Sequence, residues 1–379
     1  MTLAPPLGVY VHWPYCSRIC PYCDFNVVRD RGRIEQQRSL VDAIVRDLEA
    51  QRQTTGPRRL VSIFFGGGTP SLMDPAWAGR LVAAARDLWD ADEDLEVTLE
   101  GNPTDAEAER FAGFAAAGVG RLSLGAQSFD DEALAFLGRN HGAAEALRAG
   151  EQARIAFPRN SIDLIYARPG QTEAAWTRDL ETAVALGPEH ISPYQLTIES
   201  GTAFGRAVDR GRWTPPDPDL AAALYGVTQT VLQRHGYDAY EVSNHAKGKA
   251  ARSRHNLLYW RGHDYLGVGP GSHGRITLER GRIATKAAAG VADYIRRVAE
   301  TARGWEGCED LSPLQVAEER LLAGLRTSEG VALAELHPLS LTRLADLIDA
   351  RLVERTMERV TATPEGRLVL DRVTTELAA

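Results

Sequence analysis

Six strand-like segments, each followed by a stretch of helical periodicity, constrain this sequence more than any other feature. The strands are expected over 8–13, 60–65, 95–99, 121–124, 161–165 and 191–196, with helices over 33–52, 75–89 and 106–117 among them. Strands that alternate with helices pair in parallel through right-handed crossovers. Such a chain forms either an open doubly wound sheet or a partial barrel, and both gather ligands at the carboxyl ends of the strands. The unusual residues fall at those ends. Cys16 follows the first strand, Gly66-Gly67-Gly68-Thr69-Pro70 the second and Glu100-Gly101-Asn102-Pro103 the third. Gln127 ends the fourth, Asp163 lies in the fifth and Gln195 is near the end of the sixth.

The pattern changes after residue 205. A helix is expected over 220–234, then a glycine-, histidine- and aromatic-rich stretch over 237–274. Near 310 the composition shifts again. Amphipathic helices over 316–325 and 341–352, and a hairpin over 360–373 turning at Thr363-Pro364-Glu365-Gly366, suggest a small winged-helix-like module. The division expected is a core over 1–205, an extension packing on it over 206–310 and the module over 311–379. With eight arginines, no lysine and eleven acids, the module is net −3, unlike a DNA-reading wing. Glu318, Glu319 and Arg326 are expected at helix surfaces or interdomain contacts.

The whole chain has a formal net charge of −8, which argues against bulk attraction to nucleic acid or an anionic membrane. No apolar run reaches membrane-span length, and the first 15 residues lack the pattern of a secretory signal. Of four cysteines, three fall within eight residues, a spacing suited to a metal site in a reducing cytoplasm. Cys16, Cys20 and Cys23 are soft ligands for an iron–sulfur cluster or for zinc. Cys308 lies 285 residues beyond Cys23, so a cluster on the first three would keep one metal position open. A structural zinc site completed by His12 is the other reading of the same residues.

The spacing C-x3-C-x2-C directly after a first strand is the signature of the radical S-adenosylmethionine superfamily. Tyr10-Val11-His12-Trp13-Pro14, the cysteine loop, Phe65 to Pro70, Leu124 to Phe129 and Ile162 to Tyr166 resemble the oxygen-independent coproporphyrinogen III oxidase-like family within it. The resemblance runs over nearly the whole chain and implies a partial (β/α)6 barrel. It implies a [4Fe-4S] cluster on Cys16, Cys20 and Cys23 with S-adenosylmethionine at the open iron. Tyr10, Tyr22, Gly67, Gly68 and Thr69 would flank the cosubstrate, with bare amides and carbonyls of the glycines facing its methionyl group. Glu100 would meet the ammonium and Arg139 the carboxylate, Gln127 and Asp163 the ribose, and Gln195 and His273 the adenine.

Three features bear on the branch. Phe25 stands where the true dehydrogenases of the family carry a further cysteine. The cluster loop starts at residue 16, so their long N-terminal segment is not expected. His255-Asn256-Leu257-Leu258-Tyr259-Trp260 matches the H-N-x-x-Y-W motif of the heme chaperone (HemW) branch. Five of nine histidines fall between His235 and His273. Neutral imidazole ligates heme iron and aromatic faces lie against porphyrins. His255, Tyr259 and Trp260 are therefore heme candidates, with Arg252 and Arg254 near enough in sequence to meet propionates. The implied function is binding heme and passing it to heme-requiring proteins, membrane respiratory enzymes among the candidates, with an electron donor and an open question of homodimer formation. The alternative is oxidative decarboxylation of coproporphyrinogen III to protoporphyrinogen IX.

Overall fold

Alternation along the strands decides which side of the sheet meets the helices. The computed structural model describes residues 4–378. In β1 (Pro6–Trp13), Leu7, Val9, Val11 and Trp13 enter the main hydrophobic core, and Tyr10 and His12 point the other way. The next five strands repeat this: β2 (Arg59–Gly67), β3 (Asp90–Gly101), β4 (Arg121–Gln127), β5 (Arg159–Tyr166) and β6 (His190–Gln195). Ile63, Phe65, Val97, Leu99, Leu122, Leu124, Ile162, Leu164 and Ile191 join the hydrophobic clusters. Each side chain so buried contributes roughly 1.5–3 kcal/mol. Ser62, Thr98, Glu100, Ser123, Asp163 and Ser192, at the alternate positions, make the inner face polar.

The outer face is covered by α1 (Ile34–Thr55), α2 (Pro75–Leu88), α3 (Phe111–Ala116), α4 (Ala143–Ala156) and α5 (Glu173–Ala185). Their starts are local. Asp74 caps α2 by accepting from the Ala76 N–H at 2.9 Å, with Pro75 at the first helical position, and Thr172 caps α5 through the Ala175 N–H at 3.2 Å. The helix expected over 106–117 forms in two pieces, Asp105–Ala108 and Phe111–Ala116.

After α6 (Pro218–Arg234) come β7 (Asp238–Glu241), β8 (Asn244–Ala246) and α7 (Arg254–Trp260). Then follow β9 (Asp264–Val268), β10 (His273–Leu278), β11 (Gly281–Ala287), α8 (Val291–Thr301) and β12 (Trp305–Asp310). These strands join the same sheet, so residues 206–310 extend the core as well as pack on it. The twelve strands run β12-β11-β10-β9-β1-β2-β3-β4-β5-β6-β8-β7. All pairings from β9 through β6 are parallel, and the flanking ones are antiparallel. The two ends of the sheet do not pair with each other, which makes this a partial (β/α)6 barrel with added strands. The motif helix α7 packs on β1, β2 and β9.

The C-terminal module consists of α9 (Pro313–Leu325), β13 (Val331–Ala332), α10 (Leu344–Asp349), β14 (Val353–Arg355), β15 (Arg359–Ala362), α11 (Pro364–Leu368) and α12 (Leu370–Ala378). Leu321, Leu325, Val353, Val360 and Val373 share its own hydrophobic cluster. The hairpin is β14–β15, not the one expected over 360–373. Thr363 does not begin a turn; it caps α11 by accepting from the Gly366 N–H at 2.9 Å, and Pro364 opens that helix. Backbone bonds from the Val242 N–H to Arg326 (3.1 Å) and from the Ser328 N–H to Tyr240 (2.9 Å) tie module to core. Arg326 also pairs with Glu241, and Arg275 with Glu319 at 2.8 Å, so Glu319 and Arg326 are interdomain contacts while Glu318 is exposed. Among the described residues no helix is long and apolar enough to cross a membrane.

Gly267 in β9 tests the sheet. A Cβ there would lie 2.2 Å from the His273 carbonyl oxygen on β10, a backbone atom that cannot step aside alone. Gly267→Ala is expected to lower stability by about 1–3 kcal/mol, read from the urea midpoint; an unchanged midpoint would contradict the β9–β10 packing.

Candidate functional site

The cysteine loop leaves the carboxyl end of β1 and is pinned on every side. The Val28 N–H donates to the Pro14 carbonyl at 2.8 Å and the Asp30 N–H to that of Cys16 at 2.7 Å. Phe204 donates its amide to the Pro21 carbonyl at 2.8 Å, and the ring of Pro21 lies against Gly138. Burial pushes the Cys16 thiol up to about 11; the Thr69 hydroxyl opposes this, and the neighbouring thiols Cys23 and Cys20 add to it. Cys23 is raised as well, first by burial. Burial thus disfavours the free thiolates of Cys16 and Cys23, and with Cys20 beside them the loop offers soft sulfur donors that a cationic metal would stabilise. Among the described residues no three His, Cys, Asp or Glu side chains gather as ligands of a single ion. His12 is also engaged at both ring nitrogens: Nε2–H donates to the Asn26 carbonyl at 2.8 Å and Nδ1 accepts from the Tyr10 hydroxyl at 3.0 Å. The set fits a cubane cluster better than zinc completed by His12.

The triglycine loop packs beneath this one. Gly67 has φ +107°, and a Cβ there would strike the His12 ring at 2.5 Å; one on Gly68 would meet the Pro14 and Tyr15 backbone at 2.7–2.8 Å. Their amides are not bare. Gly67 N–H donates to Glu100 Oε2 at 3.2 Å and Gly68 N–H to the Trp13 carbonyl at 2.7 Å. The glycines are needed for close backbone approach rather than for open donors. Arg139 likewise is no free fork. It donates to Cys20 Sγ and the Tyr22 hydroxyl at 3.3 Å each, to the Gly125 carbonyl at 3.1 Å and to Asn102, leaving its buried Nε unpartnered. It braces the cysteine loop against β4. Asn102 in turn donates to Thr69 at 3.2 Å.

Glu100 and Asp163 share the inner face. Burial, then the nearby Asp163, pushes Glu100 up to about 7; burial also raises Asp163. Gln127, after an irregularity in β4, takes φ +67° and leaves its Oε1 buried without a partner. A carboxyl that ionises when a cation arrives and an orphan buried acceptor suit a ligand bearing an ammonium and hydroxyls. Gln195 is exposed at the end of β6, and among the described residues no side-chain hydrogen bond joins it to the others. His273 is exposed at the start of β10.

His273, Tyr10 and His12 line a cavity of about 330 Å3 together with His255, Tyr259 and Phe25. His255 is held at Nδ1 by Ser62 Oγ (2.9 Å), and its amide donates to Glu96 at 3.1 Å. Its ring stacks on Phe64, with centroids 5.0 Å apart. Burial lowers it to about 4, so it is neutral near pH 7. Trp260 turns away from this cavity, under the Arg326 guanidinium 4.7 Å from its ring, while Tyr259 borders both sides. Arg252 and Arg254 do not line the cavity: Arg254 pairs with Asp94, and Arg252 lies over the Tyr240 ring at 5.3 Å and near Glu329 at 3.8 Å. Close sequence spacing had suggested otherwise, but Arg254 at the start of α7 and Arg252 just before it both turn toward protein carboxylates.

Sequence reasoning missed a chain of polar groups below the carboxylates. Ser253 N–H donates to the Tyr240 hydroxyl (3.2 Å), Tyr240 lies 2.8 Å from His190 Nε2, and His190 Nδ1 lies 2.8 Å from Ser161 Oγ. Ser161 and Ser123 reach Asp163 at 3.2 and 2.8 Å. An amide only donates and an ionised carboxylate only accepts, so with Asp163 ionised every bond runs toward it and His190 carries its proton on Nδ1. Burial, and next Arg121, keeps His190 neutral. The alternation Ser161/Asp163 and His190/Ser192 in adjacent strands was the available signal.

The chain matches the family model of the radical SAM superfamily over residues 10–183 and that of the HemN C-terminal domain over residues 311–369. Radical S-adenosyl methionine domain-containing protein 1, mitochondrial, of Mus musculus is 42% identical over 333 residues, 86% of this chain and 74% of that protein. The heme chaperone HemW of Bacillus subtilis is 33% identical over 380 residues, 97% of each. Among solved structures, the coproporphyrinogen III oxidase HemN of Escherichia coli, a radical SAM enzyme, superposes with a TM-score of 0.83 over 99% of this chain and 91% of that one. At 21% identity that likeness is one of fold.

The Glu100 carboxyl sets a pH dependence. With its pKa near 7 in the fold against an ordinary 4.5, the folded chain holds the extra proton, so stability falls as pH rises from about 4.5 to 7. Glu100→Gln removes that loss. Relative to the parent, the variant is expected to gain on the order of 2–3 kcal/mol between pH 4 and pH 8 in ligand-free protein, by urea unfolding; parallel pH profiles would refute the assignment.

Proposed function

The chain belongs to the HemW branch of the HemN-like radical S-adenosylmethionine family, and from that membership we propose that it is a heme chaperone. In this reading it carries a [4Fe-4S] cluster on Cys16, Cys20 and Cys23, binds S-adenosylmethionine and heme, and passes heme to heme-requiring proteins in the cytoplasm. The bound cluster would offer an open iron for the cosubstrate and an electron from a donor protein. Glu100 would take the ammonium. Asp163, and Gln127 through its unpartnered Oε1, would accept from the ribose hydroxyls, and the remaining Nε–H of Arg139 would donate to the carboxylate. The loop around Pro21 and Arg139 would hold the three thiolates in place without further folding.

The observation that carries the heme assignment is His255. It is buried, neutral and tied by Ser62 at one ring nitrogen, and it lines the cavity with Tyr259 at its edge, ring centroids 5.7 Å apart. With Nδ1–H donated to Ser62 Oγ, the neutral imidazole would present a bare Nε2 as a metal ligand. About 330 Å3 is at the low end for drug-sized ligands, so a tetrapyrrole would occupy this cavity by one edge and extend beyond it. Phe25, 61% exposed at the mouth, supplies an apolar face where the dehydrogenases would have a thiol.

Anaerobically purified protein titrated with hemin is expected to bind one equivalent, with His255→Ala weakening binding at least tenfold and altering the absorption band. Unchanged affinity and spectrum would remove His255 from the site. Failure of the parent to bind hemin, or multiple-turnover formation of protoporphyrinogen IX from coproporphyrinogen III, would overturn the chaperone reading.

A further inference from the structure

A second cavity, of about 200 Å3, lies between the core and the C-terminal module. It meets the first across Tyr259 and Tyr265, which border both and whose ring centroids are 6.1 Å apart. Its walls divide by chemistry. Trp260 and the two tyrosines form an aromatic side, with the Trp260 Nε1–H buried and unpartnered. Helix α9 supplies Val316 and Leu322, the latter 58% exposed at the rim. Between these, the guanidiniums of Arg275, Arg282 and Arg320 meet a single lining carboxylate, Glu319.

The arginines are seated rather than loosely placed. Arg282 donates to Asp264 and to the His263 carbonyl at 3.2 Å each, yet Asp264 is shared with Arg58 at 3.7 Å. Burial, and next the Arg320 charge, makes the cationic form of Arg282 costly. Arg320 donates to the Arg261 carbonyl at 2.5 Å and approaches Glu335 only at 3.5 Å. Its guanidinium occupies the space above Gly262, where a Cβ would fall 1.2 Å from Nη1, and Gly262 has φ +63°. Arg275 is gripped by Glu319 from Nε and Nη2, both at 2.8 Å. Both nitrogens meet the single oxygen Oε1, so Arg275 already holds a carboxylate by a charge-assisted pair of contacts. The cavity therefore carries more positive than negative charge, one arginine already displaying the intended contact, beside an apolar and aromatic wall.

We propose that this cavity receives the carboxylate-bearing edge of an amphipathic macrocyclic ligand, with Arg275 and Arg320 as its anion contacts and Glu319 as the internal carboxylate it displaces. The inference rests on the heme reading and names where the propionate side of that ligand goes. It also replaces Arg252 and Arg254, which border neither cavity. Because Arg320 and Glu319 come from α9, the module contributes half of the site. An arriving carboxylate would exchange the Glu319–Arg275 pair for its own pair with Arg275, conserving the number of ion pairs and freeing Glu319 to the rim.

The test compares hemin with hemin dimethyl ester, whose carboxylates are blocked, by absorbance titration of the full chain. Arg275→Gln and Arg320→Gln are each expected to weaken hemin roughly tenfold and leave the ester unchanged, since a charged hydrogen bond is lost in the first case only. Glu319→Gln is expected to tighten hemin severalfold, an effect that partial unfolding cannot imitate. Equal hemin affinity in all three variants, or equal losses for hemin and ester, overturns this subsite while leaving the heme reading intact. A parent protein that binds neither probe overturns both.

Discussion

Burying the Arg121 guanidinium inside the sheet, at 2% exposure, would cost several kcal/mol if no opposite charge lay near it. The inner face supplies those charges. Glu100 and Asp163, both raised by burial, are drawn back down by Arg121, and the same charge adds to burial in holding His190 and His255 neutral. Glu96 pairs with Arg159 at 2.7 Å and accepts the His255 amide. The polar interior is therefore one electrostatic unit. A carboxylate and a neutral imidazole can stand a few residues apart there because one fixed cation favours both states.

The outer half of the fold was legible because it obeys periodicity. Leu7, Val9 and Val11 in β1 and Ile63 and Phe65 in β2 alternate with Gly8, Tyr10, Ser62 and Phe64 on the other face, and the strand ends fell within a few residues of expectation. The cysteine loop was legible for a different reason: C-x3-C-x2-C is local, and local geometry survives any change in the rest of the chain. What sequence did not disclose is pairing between distant elements. Arg139 read as an open fork until its partners proved to be Cys20, Tyr22, Asn102 and Gly125, all of them in other loops or strands. Gly67 and Gly68 read as ligand-facing, whereas the obstacle that demands glycine is the His12 ring for one and the Pro14–Tyr15 backbone for the other.

The C-terminal error has the same root. Thr363-Pro364-Glu365-Gly366 is both good turn chemistry and a good helix start, and local composition cannot choose between them. Tertiary packing does: Gly366 lies where a Cβ would meet the Leu352 carbonyl at 1.8 Å, so the helix start is pressed onto the end of β14's preceding turn. Leu370, Val373 and Leu377 then follow at helical spacing into the module core.

These contacts also explain why the motif helix α7 can serve two cavities. Ser253 caps it, accepting from the Asn256 N–H at 3.3 Å, and the Ser253 amide is the last donor in the chain that ends at Asp163. His255 leans inward on Phe64, which itself stacks with Tyr10 at 6.2 Å, next to Glu100 and His12. Trp260, one turn further on, faces Arg326 of the module. A seven-residue helix with a buried cap at one end and a cation over an aromatic ring at the other cannot shift its His255 edge without moving its Trp260 edge. The carboxylates of the inner face, the imidazole and the module thus share one rigid lever, and the geometry of each is fixed by the other two.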